Sequence, residues 1–573
     1  QSVEGFQKMN FNTNGVAAGG TMLNVTGTGE TNVNWAELSA TGTAVKPLTL
    51  LRNANGIHLA GYTGAVKSET TDTTEMNIDV KKSGNKITEL IYEGYTFKGI
   101  TGVTSDGTDA WAGRSNAGNT TQDNTLTLDD AGKIYRNAYG GRTSGTGTKA
   151  AADRQNDSRN NIVNYTAGTV TDNIYGGSAA NGEASGNTVN LGAITTAANI
   201  CGGYGMTTKD NIINLRGAKV TGTVMSGSAA NGTGNTLAVY KPSEVYDFAG
   251  VQNLQFYADE MAANEATPML KLGVATKDIR GLDIGVNRSG AAPKLRKGDK
   301  ITLMKTAGGA LTTDEVIENK TNGMQTRKAE GMQGASYRYE FEIAQTATGE
   351  LTATVTNAGF TEKAKSLVET RAGASAFLND GADFTAGAGM DAAKKEARAA
   401  AQSGSAPYGL WAGLGAGSLR HKTGSYVDLK GWNLGVGWAR ENAVQAGTLT
   451  FGPFIEYGRG NYDSYLDDGT HGSGKTSFVG AGVMAKIETD SHWVDGSLRV
   501  GRTKSDYTGL ATYDTTSTYY GVQVGAGKDF HVNETDTVGA YVRYAYSHTV
   551  GTSATLSSGE TYDFDAVNSH RLR

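Results

Sequence analysis

The sequence has little cysteine or proline and no long apolar run. A single cysteine, Cys201, excludes an internal disulfide in a chain of 573 residues, so a packed core and backbone ladders must stabilise the fold. A transmembrane helix needs a run of roughly eighteen apolar residues, and none occurs, although a membrane β-barrel would not need one. Six prolines beside 80 glycines indicate turn-rich β structure rather than disorder. The net charge of −5 gives no basic surface for nucleic acid, so no nucleic-acid partner is expected.

Residues 405–573 alternate apolar residues with small or polar ones. In the segment 430–440 the alternating residues are Trp432, Leu434, Val436 and Trp438 against Asn433, Gly435, Gly437 and Ala439. Period two predicts a strand, and segments of about ten residues can cross a bilayer when tilted. The pattern returns in six further segments. Aromatic residues near segment ends suit the girdles of a membrane barrel: Tyr408, Trp438, Tyr457, Trp493, Tyr519 and Tyr544. A soluble β-sandwich is the alternative, because it shows the same alternation.

Residues 1–250 carry a second pattern, which recurs every 24 to 26 residues in its best part. Its units are Asn161–Tyr165, Asn187–Leu191, Asn211–Leu215 and Asn235–Val239, with Asn124–Leu128 before them. Between the units lie the strands Asn173–Gly177, Asn199–Gly203 and Thr223–Gly227, each with a small-residue turn. A β repeat of this length predicts one rung of a parallel β-helix, or solenoid. We expect the apolar residues inside, the asparagines in ladders at the turns, and glycines supplying positive φ. The less regular 76–80 and 87–92 also fit as strands.

Two further regions follow the repeat. In residues 251–360, alternation in 337–343 and 351–355 about a turn near Gly349 predicts a hairpin within a cap for the solenoid. In residues 361–404, apolar residues recur every three or four positions over 361–379, which predicts a helix. We expect 381–389 to interrupt the helix and 390–401 to resume it. This linker is too polar for lipid but fits a pore lined by glycine and short polar groups.

The linker, with Gly389–Ala393, and the segments from Tyr408–Gly413 to Phe564–Arg573 resemble the classical (type Va) autotransporters of Gram-negative bacteria. The resemblance implies an outer-membrane barrel of about twelve strands with the linker helix in its pore. It also implies outer-membrane lipid, the barrel-assembly machinery and periplasmic chaperones as partners. Only seven strands are visible, with an eighth beginning near Asp563, and an open edge in lipid is untenable. We therefore expect a C-terminally truncated barrel that lacks about four or five strands.

No catalytic, cofactor-binding or metal-binding residue is predicted. His58 is the one histidine before the barrel region, and no nucleophile motif surrounds any serine. Ser178 and Ser228 sit in repeat turns, and Cys201 takes the place of Tyr175 one rung earlier. The carboxylates lack calcium-loop spacing and suit solvated faces: Asp72, Glu75, Asp79, Asp123, Asp129 and Asp130. The dipeptide Asn379–Asp380 invites comparison with family members that cleave themselves inside the pore.

The combined prediction is an all-β protein with a solenoid passenger, a helical linker and a C-terminal antiparallel barrel. Its predicted function is to export and display its own passenger on the bacterial surface, anchored in the outer membrane. We expect a non-enzymatic adhesin or aggregation factor that contacts a host surface or itself. The first alternative is a carrier for a secreted protease or esterase whose catalytic module lies outside this chain. The second is a pore for small solutes, which the helix in the pore disfavours.

Overall fold

The computed structural model divides the chain into two compact units. It describes residues 6–17, 19–41, 48–63, 67–71, 74–115, 119–144, 156–228, 230, 232–309, 311–313, 326–345, 349–404, 407–422, 425–531 and 537–573. The first unit contains residues 1–287, 295–331 and 340–357. The second contains residues 288–294, 332–339 and 358–573.

The first unit is a parallel β-solenoid of about nine turns, as the repeat predicts. One parallel sheet stacks the strands Thr125–Leu128, Ile162–Tyr165, Thr188–Leu191, Ile212–Arg216, Thr236–Lys241, Asn253–Tyr257 and Asp283–Asn287. A second parallel stack contains Ala110–Ser115, Ile134–Thr143, Thr169–Ser185, Asn199–Lys209, Lys219–Gly227, Ser243–Ala249, Leu270–Leu272 and Lys300–Lys305. Val163, Val189 and Ile213 line the interior and have no exposed surface, so the predicted inward face is confirmed.

The remaining strands of this region complete the turns or pair locally. They are Met9–Asn12, Thr21–Val25, Thr31–Asn34, Leu38–Thr41, Leu48–Asn53, Ile57–Ala60, Lys67–Thr71, Thr74–Ser83, Lys86–Lys98, Thr104–Ser105, Thr120–Gln122, Ser158–Arg159, Thr195–Thr196, Lys277–Asp278, Leu311–Thr312, Thr326–Gln333, Tyr337–Gln345 and Glu350–Phe360, with a 3₁₀ turn at Trp35–Glu37. The strands predicted at 76–80 and 87–92 exist. They belong to an antiparallel pair, 74–83 with 86–98, and do not stack on each other as rungs.

Buried asparagines form a hydrogen-bonded ladder along the solenoid, as the repeat predicts. Asn187 Nδ2 donates to Asn211 Oδ1 at 2.9 Å, and Asn211 Nδ2 donates to Asn235 Oδ1 at 2.9 Å. The same bond joins Asn161 to Asn187 at 3.0 Å and Asn124 to Asn161 at 2.8 Å. All five side chains are fully buried. Each oxygen also accepts a backbone N–H from the preceding rung, so the ladder satisfies main-chain and side-chain groups together.

Two sets of glycines serve this ladder, and only the second set supplies the predicted positive φ. A Cβ on Gly203 would lie 2.5 Å from Asn211 Nδ2, and one on Gly227 would lie 2.6 Å from Asn235 Nδ2. These glycines have ordinary φ; they leave the space that the buried amides occupy. Positive φ occurs instead at the residue before each ladder asparagine, for example 65° at Gly186 and 67° at Gly234.

The predicted alternation in the cap is confirmed in the strands Tyr337–Gln345 and Glu350–Phe360. Tyr339, Phe341 and Ile343 are buried, as are Leu351 and Val355. The second strand pairs antiparallel with Lys300–Lys305. The predicted turn falls on 346–348, which lie outside the described residues, and ends at Gly349, where φ is 69°.

The linker is one helical element of 42 residues, so the predicted interruption at 381–389 is wrong. It runs through a 3₁₀ segment Glu362–Val368, an α segment Glu369–Phe384, a π turn Thr385–Gly389 and a second α segment Met390–Ser403. Glycine lowers helix stability by about 1 kcal/mol, but packing overrides this preference here. A Cβ on Gly381 would overlap the ring of Phe478, so the glycine permits close packing and does not end the helix. Among the described residues, no helix is both long and apolar enough to cross a bilayer.

The C-terminal sheet of the second unit has eight antiparallel strands in sequential order. They are β1 (Gly409–Lys422), β2 (Tyr426–Val444), β3 (Gly447–Tyr465), β4 (His471–Glu488), β5 (His492–Thr508), β6 (Thr512–His531), β7 (Thr537–Thr549) and β8 (Val567–Leu572). The eighth strand was expected near Asp563. That stretch instead forms a hairpin, Thr552–Thr555 with Thr561–Phe564, before β8 begins. Within the described residues no pairing joins β1 to β8.

Candidate functional site: the helix held by the C-terminal sheet

The C-terminal sheet buries its polar face and exposes its apolar face. The exposed residues include Leu414, Trp438, Ile455, Val479, Val483, Val494, Leu498, Val500, Val524 and Val542. The buried polar residues include Asn433, Thr450, Glu456, Ser464, Thr476, Asp495, Ser497, Arg499, Ser517 and Gln523. This distribution is the reverse of a soluble sandwich, whose core is apolar, and it matches a barrel surrounded by lipid.

The aromatic residues predicted for the girdles divide between the two faces. Tyr408, Trp438 and Tyr544 are exposed on the apolar face. Tyr519 is fully buried, and its hydroxyl donates to Glu456 Oε1 at 2.5 Å. Trp493 lies on the polar face, with Lys486 Nζ 4.9 Å from its ring centroid. The girdle prediction is therefore wrong for Tyr519 and Trp493. Side chains alternate between the two faces of a strand, so a residue near a strand end can still face inward.

The centre of the helix is bound by a buried arginine of β5. Arg499 Nη2 donates to the backbone oxygen of Leu378 at 3.0 Å. Arg499 Nε also lies 3.4 Å from Glu456 Oε1, and both side chains are only 3% exposed. Glu456 thus balances the buried charge of Arg499, whose guanidinium contacts the main chain of the helix. Removing one partner of such a pair would leave an uncompensated buried charge.

Acidic residues in the next turn of the helix contact other strands. Asp380 Oδ2 accepts from Asn433 Nδ2 of β2 at 2.6 Å. Asp383 Oδ2 accepts from Arg571 Nη1 of β8 at 2.6 Å and pairs with Arg573 Nη2 at 2.5 Å. Contacts to strands as far apart in the sheet as β2 and β8 show that the sheet surrounds this turn on more than one side.

Polar contacts also tie both ends of the helix to the sheet. Near its start, Thr370 Oγ1 lies 3.0 Å from the Tyr462 hydroxyl and 2.8 Å from the Tyr513 hydroxyl. Near its end, Lys394 Nζ donates to Glu488 Oε1 at 2.7 Å. The helix is thus bound over most of its length and is a fixed part of the second unit.

Small residues of the sheet make room for large residues of the helix. A Cβ on Gly413 would lie 3.1 Å from the ring of Phe384, and one on Gly415 would lie 2.9 Å from it. The helix in turn presents Gly389 to Trp411, with a Cβ–ring distance of 3.6 Å. Reciprocal small and large residues produce a close fit, which explains the glycine-rich polar face seen in the sequence.

The residues considered for chemistry lie on different strands or turns of the solenoid. His58 is exposed on the strand Ile57–Ala60, and Ser178 is 8% exposed in the solenoid. Ser228 Oγ accepts from the backbone N–H of Gly205 at 3.3 Å. Cys201 is buried in register with Tyr175, as predicted. Burial raises the pKa of its thiol to about 12, so it stays protonated at neutral pH.

The carboxylates considered for metal binding do not converge. Asp79 Oδ1 accepts from the backbone N–H of Val80 at 2.7 Å, and Asp130 Oδ1 accepts from that of Gly132 at 2.9 Å. Asp72 lies outside the described residues, as does the side chain of Glu75. Within the described part of the chain, no three His, Cys, Asp or Glu residues are grouped as metal ligands would be.

Asn379 and Asp380 are both held by the sheet. Asn379 Nδ2 donates to Ser569 Oγ at 2.9 Å, and its backbone oxygen accepts from Arg571 Nη2 at 3.2 Å. The carboxylate of Asp380 accepts from Asn433 at 2.6 Å. These bonds anchor the dipeptide in the helix and by themselves specify no chemistry.

Sequence reasoning missed an aromatic cluster on the polar face and a contact made by the hairpin 552–564. The cluster consists of Tyr462, Tyr507, Tyr513 and Tyr519, all buried; their strand parity was the available signal. In the hairpin turn, Glu560 Oε1 accepts from the backbone N–H of Ala335 at 2.7 Å and from Ser336 Oγ at 3.3 Å. No sequence signal linked residues more than 200 positions apart.

Comparison with known proteins agrees with this geometry. Residues 409–573 match the family model described as the autotransporter beta-domain. No curated protein matches significantly, and no solved structure does. The C-terminal region is an autotransporter β-domain, and with the β-solenoid before it the chain has the organisation of a classical autotransporter. Such a domain serves the export of the chain's own passenger and implies an outer-membrane location.

Proposed function

We propose that the chain displays its β-solenoid on the bacterial surface as a non-enzymatic adhesin or aggregation factor. The observation that carries the proposal is the helix held against the polar face of a sheet whose other face is apolar. The bond from Arg499 to Leu378 and the ion pair between Lys394 and Glu488 anchor the linker at two levels. A helix anchored in this way serves as a tether for a passenger that remains attached.

The solenoid suits export in an unfolded state. With one cysteine, no internal disulfide can block passage of the chain through a narrow pore. Each rung contacts only its neighbours, so folding can propagate rung by rung outside. Every added rung contributes a buried amide bond such as that between Asn187 and Asn211. We propose that this stepwise folding favours outward movement.

Protease treatment of intact cells that express the full-length protein tests display. We expect protease to remove the solenoid while the region from Tyr408 onward stays protected. A Cβ added at Gly308 would meet no atom within 4 Å, so this position has free space around it. A variant with a protease site inserted near Gly308 therefore supplies a defined cleavage position. Lysed cells serve as the control. Cleavage in lysed cells alone would contradict surface display.

A passenger enzyme remains the second candidate, favoured only by the diversity of the family. It would place the catalytic module outside this chain, because His58 lies on a different strand from the serines and the cysteine considered above. The full-length reading frame distinguishes the two candidates: a non-repetitive domain beyond the present sequence would favour the enzyme. Loss of a hydrolytic activity on deletion of that domain would establish it.

A further inference from the structure

Four cations surround one serine on the exposed face of the C-terminal sheet. In the sheet register, Ser477 of β4 lies opposite Arg459 of β3 on one side and Lys504 of β5 on the other. Lys475 lies two residues from Ser477 on β4, and Arg502 lies two residues from Lys504 on β5, so both share this face. We call the four cations the basic patch. All four are exposed, and among the described residues none of them forms an ion pair.

The basic patch borders the apolar band of the same face. Val479, which lies opposite Arg502 in the register, is 57% exposed. Ile455, four residues before Arg459 on β3, is 61% exposed. Residues two and four positions apart on a strand share a face, so the cations and the apolar residues form one continuous surface. Charge therefore begins where the band that suits lipid ends.

Two acidic residues lie on the far side of the basic patch from the apolar band. Asp506 follows Lys504 by two residues, and its Oδ1 accepts the backbone N–H of Lys475 at 2.8 Å. Asp514 lies opposite Asp506 in the register of β5 and β6. These carboxylates are fewer than the cations and lie farther from the apolar residues. The surface next to the apolar band therefore stays positively charged.

Cations at the other end of the same face stand singly. Arg440 lies on β2 and Lys528 on β6, and both are exposed. Four strand spacings separate them, about 19 Å along the sheet, so one small anion cannot contact both. The guanidinium of Arg440 lies 5.9 Å from the ring centroid of Tyr408, and Lys528 Nζ lies 5.2 Å from that of Phe530. Within the described part of the sheet, the cations are grouped at one end of this face and isolated at the other.

We propose that the basic patch binds the phosphate groups of a lipid headgroup, while the acyl chains of the same lipid contact the apolar band. Guanidinium groups such as those of Arg459 and Arg502 donate paired N–H bonds to phosphate, and lysine adds a point charge. A soluble anion would use the cations alone, whereas a lipid uses the cations and the apolar residues beside them. The continuity of the two surfaces therefore favours a phosphorylated lipid over free phosphate.

The position of the basic patch identifies the leaflet. Tyr507 follows Lys504 toward the end of β5, and its hydroxyl lies 2.8 Å from Ser366 Oγ at the start of the linker helix. The solenoid precedes this helix in the chain, so a displayed solenoid requires this end of the sheet to face the cell surface. The partner is then a phosphorylated lipid of the outer leaflet. This assignment of the leaflet rests on the proposed function.

Binding of lipid A by the purified full-length protein in neutral detergent micelles tests the proposal. Fluorescent lipid A that carries both phosphates should bind the unaltered protein. Arg459→Gln with Lys504→Gln should weaken this binding about tenfold, because cations beside an anionic headgroup each strengthen the contact. Arg440→Gln with Lys528→Gln is the matched control: it removes the same charge from the other end and should change the affinity less than about twofold. Lipid A without phosphates should bind the unaltered protein about as weakly as the Arg459 and Lys504 variant binds the phosphorylated lipid.

A charge-preserving variant separates loss of charge from misfolding. Arg459→Lys with Lys504→Arg should bind within about threefold of the unaltered protein, and thermal unfolding in the same micelles checks the fold. Equal binding of the phosphate-free lipid, or equal losses in the two neutral double variants, would overturn the proposal. Full displacement of the lipid by inorganic phosphate would also overturn it and would point to a soluble anion.

Failure of this inference and failure of the proposed function give different results. If protease does not remove the solenoid from intact cells, surface display fails and the leaflet assignment fails with it. The titration in micelles does not depend on display, so it still decides whether the basic patch binds lipid phosphate.

Discussion

Arg499 Nη2 donates a hydrogen bond to the backbone oxygen of Leu378 at 3.0 Å, and Arg499 Nε lies 3.4 Å from the buried carboxylate of Glu456. One arginine thus links a strand, a second strand and the linker helix. Because the guanidinium and the carboxylate are both buried, their effects on stability should depend strongly on each other.

Replacing Arg499 with leucine should destabilise the β-domain by about 3–5 kcal/mol, because Glu456 would be left as an unpaired buried charge. Replacing both residues, Arg499→Leu with Glu456→Leu, should recover most of that loss. Thermal unfolding of the full-length protein in micelles measures both effects. A double variant no more stable than the single one would contradict the ion-pair interpretation.

Asn187→Ala should destabilise the solenoid by about 2–4 kcal/mol. The substitution removes the acceptor of both the backbone and side-chain N–H groups of Asn161, and unsatisfied buried groups cost about 1–3 kcal/mol each. Asn190→Ala is the matched control: it breaks an equivalent amide ladder on the partly exposed face and should cost less than about 1 kcal/mol. Urea unfolding followed by amide hydrogen exchange distinguishes them, and equal losses would show that burial of the ladder is unimportant.

Two glycines of the linker helix should respond oppositely to alanine. Gly387 faces open space, so Gly387→Ala should stabilise the helix by about 0.5–1 kcal/mol. Gly381 lies against the ring of Phe478, so Gly381→Ala should destabilise the domain by about 1–3 kcal/mol through overpacking. Thermal unfolding of the two variants under the same conditions is the measurement. The same sign for both substitutions would argue against the close fit of helix and sheet.

Cys201 should remain unreactive in the folded protein. Its thiol is buried and its pKa is raised to about 12 from 9.0, so almost no thiolate forms at pH 8. Labelling with a thiol reagent should therefore proceed only after unfolding, with the lone cysteine reporting on opening of the solenoid. Rapid labelling of native protein would contradict the placement of this residue.

The same pKa difference predicts a pH dependence. Above about pH 9 the unfolded chain releases the thiol proton, whereas the folded chain retains it up to about pH 12. The unfolded state then binds fewer protons, so stability should fall as pH rises in this window, by about 1.4 kcal/mol per pH unit. Urea unfolding at pH 8 and pH 10 measures the loss. Cys201→Ala is the control, since it should flatten this contribution.

Much of the architecture followed from local patterns. The period of 24 to 26 residues predicted the solenoid, and the alternation of Trp432, Leu434, Val436 and Trp438 predicted a strand of the C-terminal sheet. Both signals can be read from short stretches of sequence. Side chains alternate between the two faces of a strand, and each rung of a solenoid contacts only the rungs next to it. The Asn187–Asn211 bond was also predictable, since identical residues at one register must stack.

The tertiary structure decided what periodicity leaves open. It turned Tyr519 inward, and it continued the helix through Gly381, because packing against Phe478 outweighs glycine's helix propensity. It also joined Arg499 to Leu378 and Glu560 to Ala335. Such contacts depend on how distant segments approach each other, a property that no local pattern of residues records. The sequence alone determined the order of the solenoid, the linker helix and the C-terminal sheet, because each has its own local period. Only the folded chain determined which surfaces hold the linker.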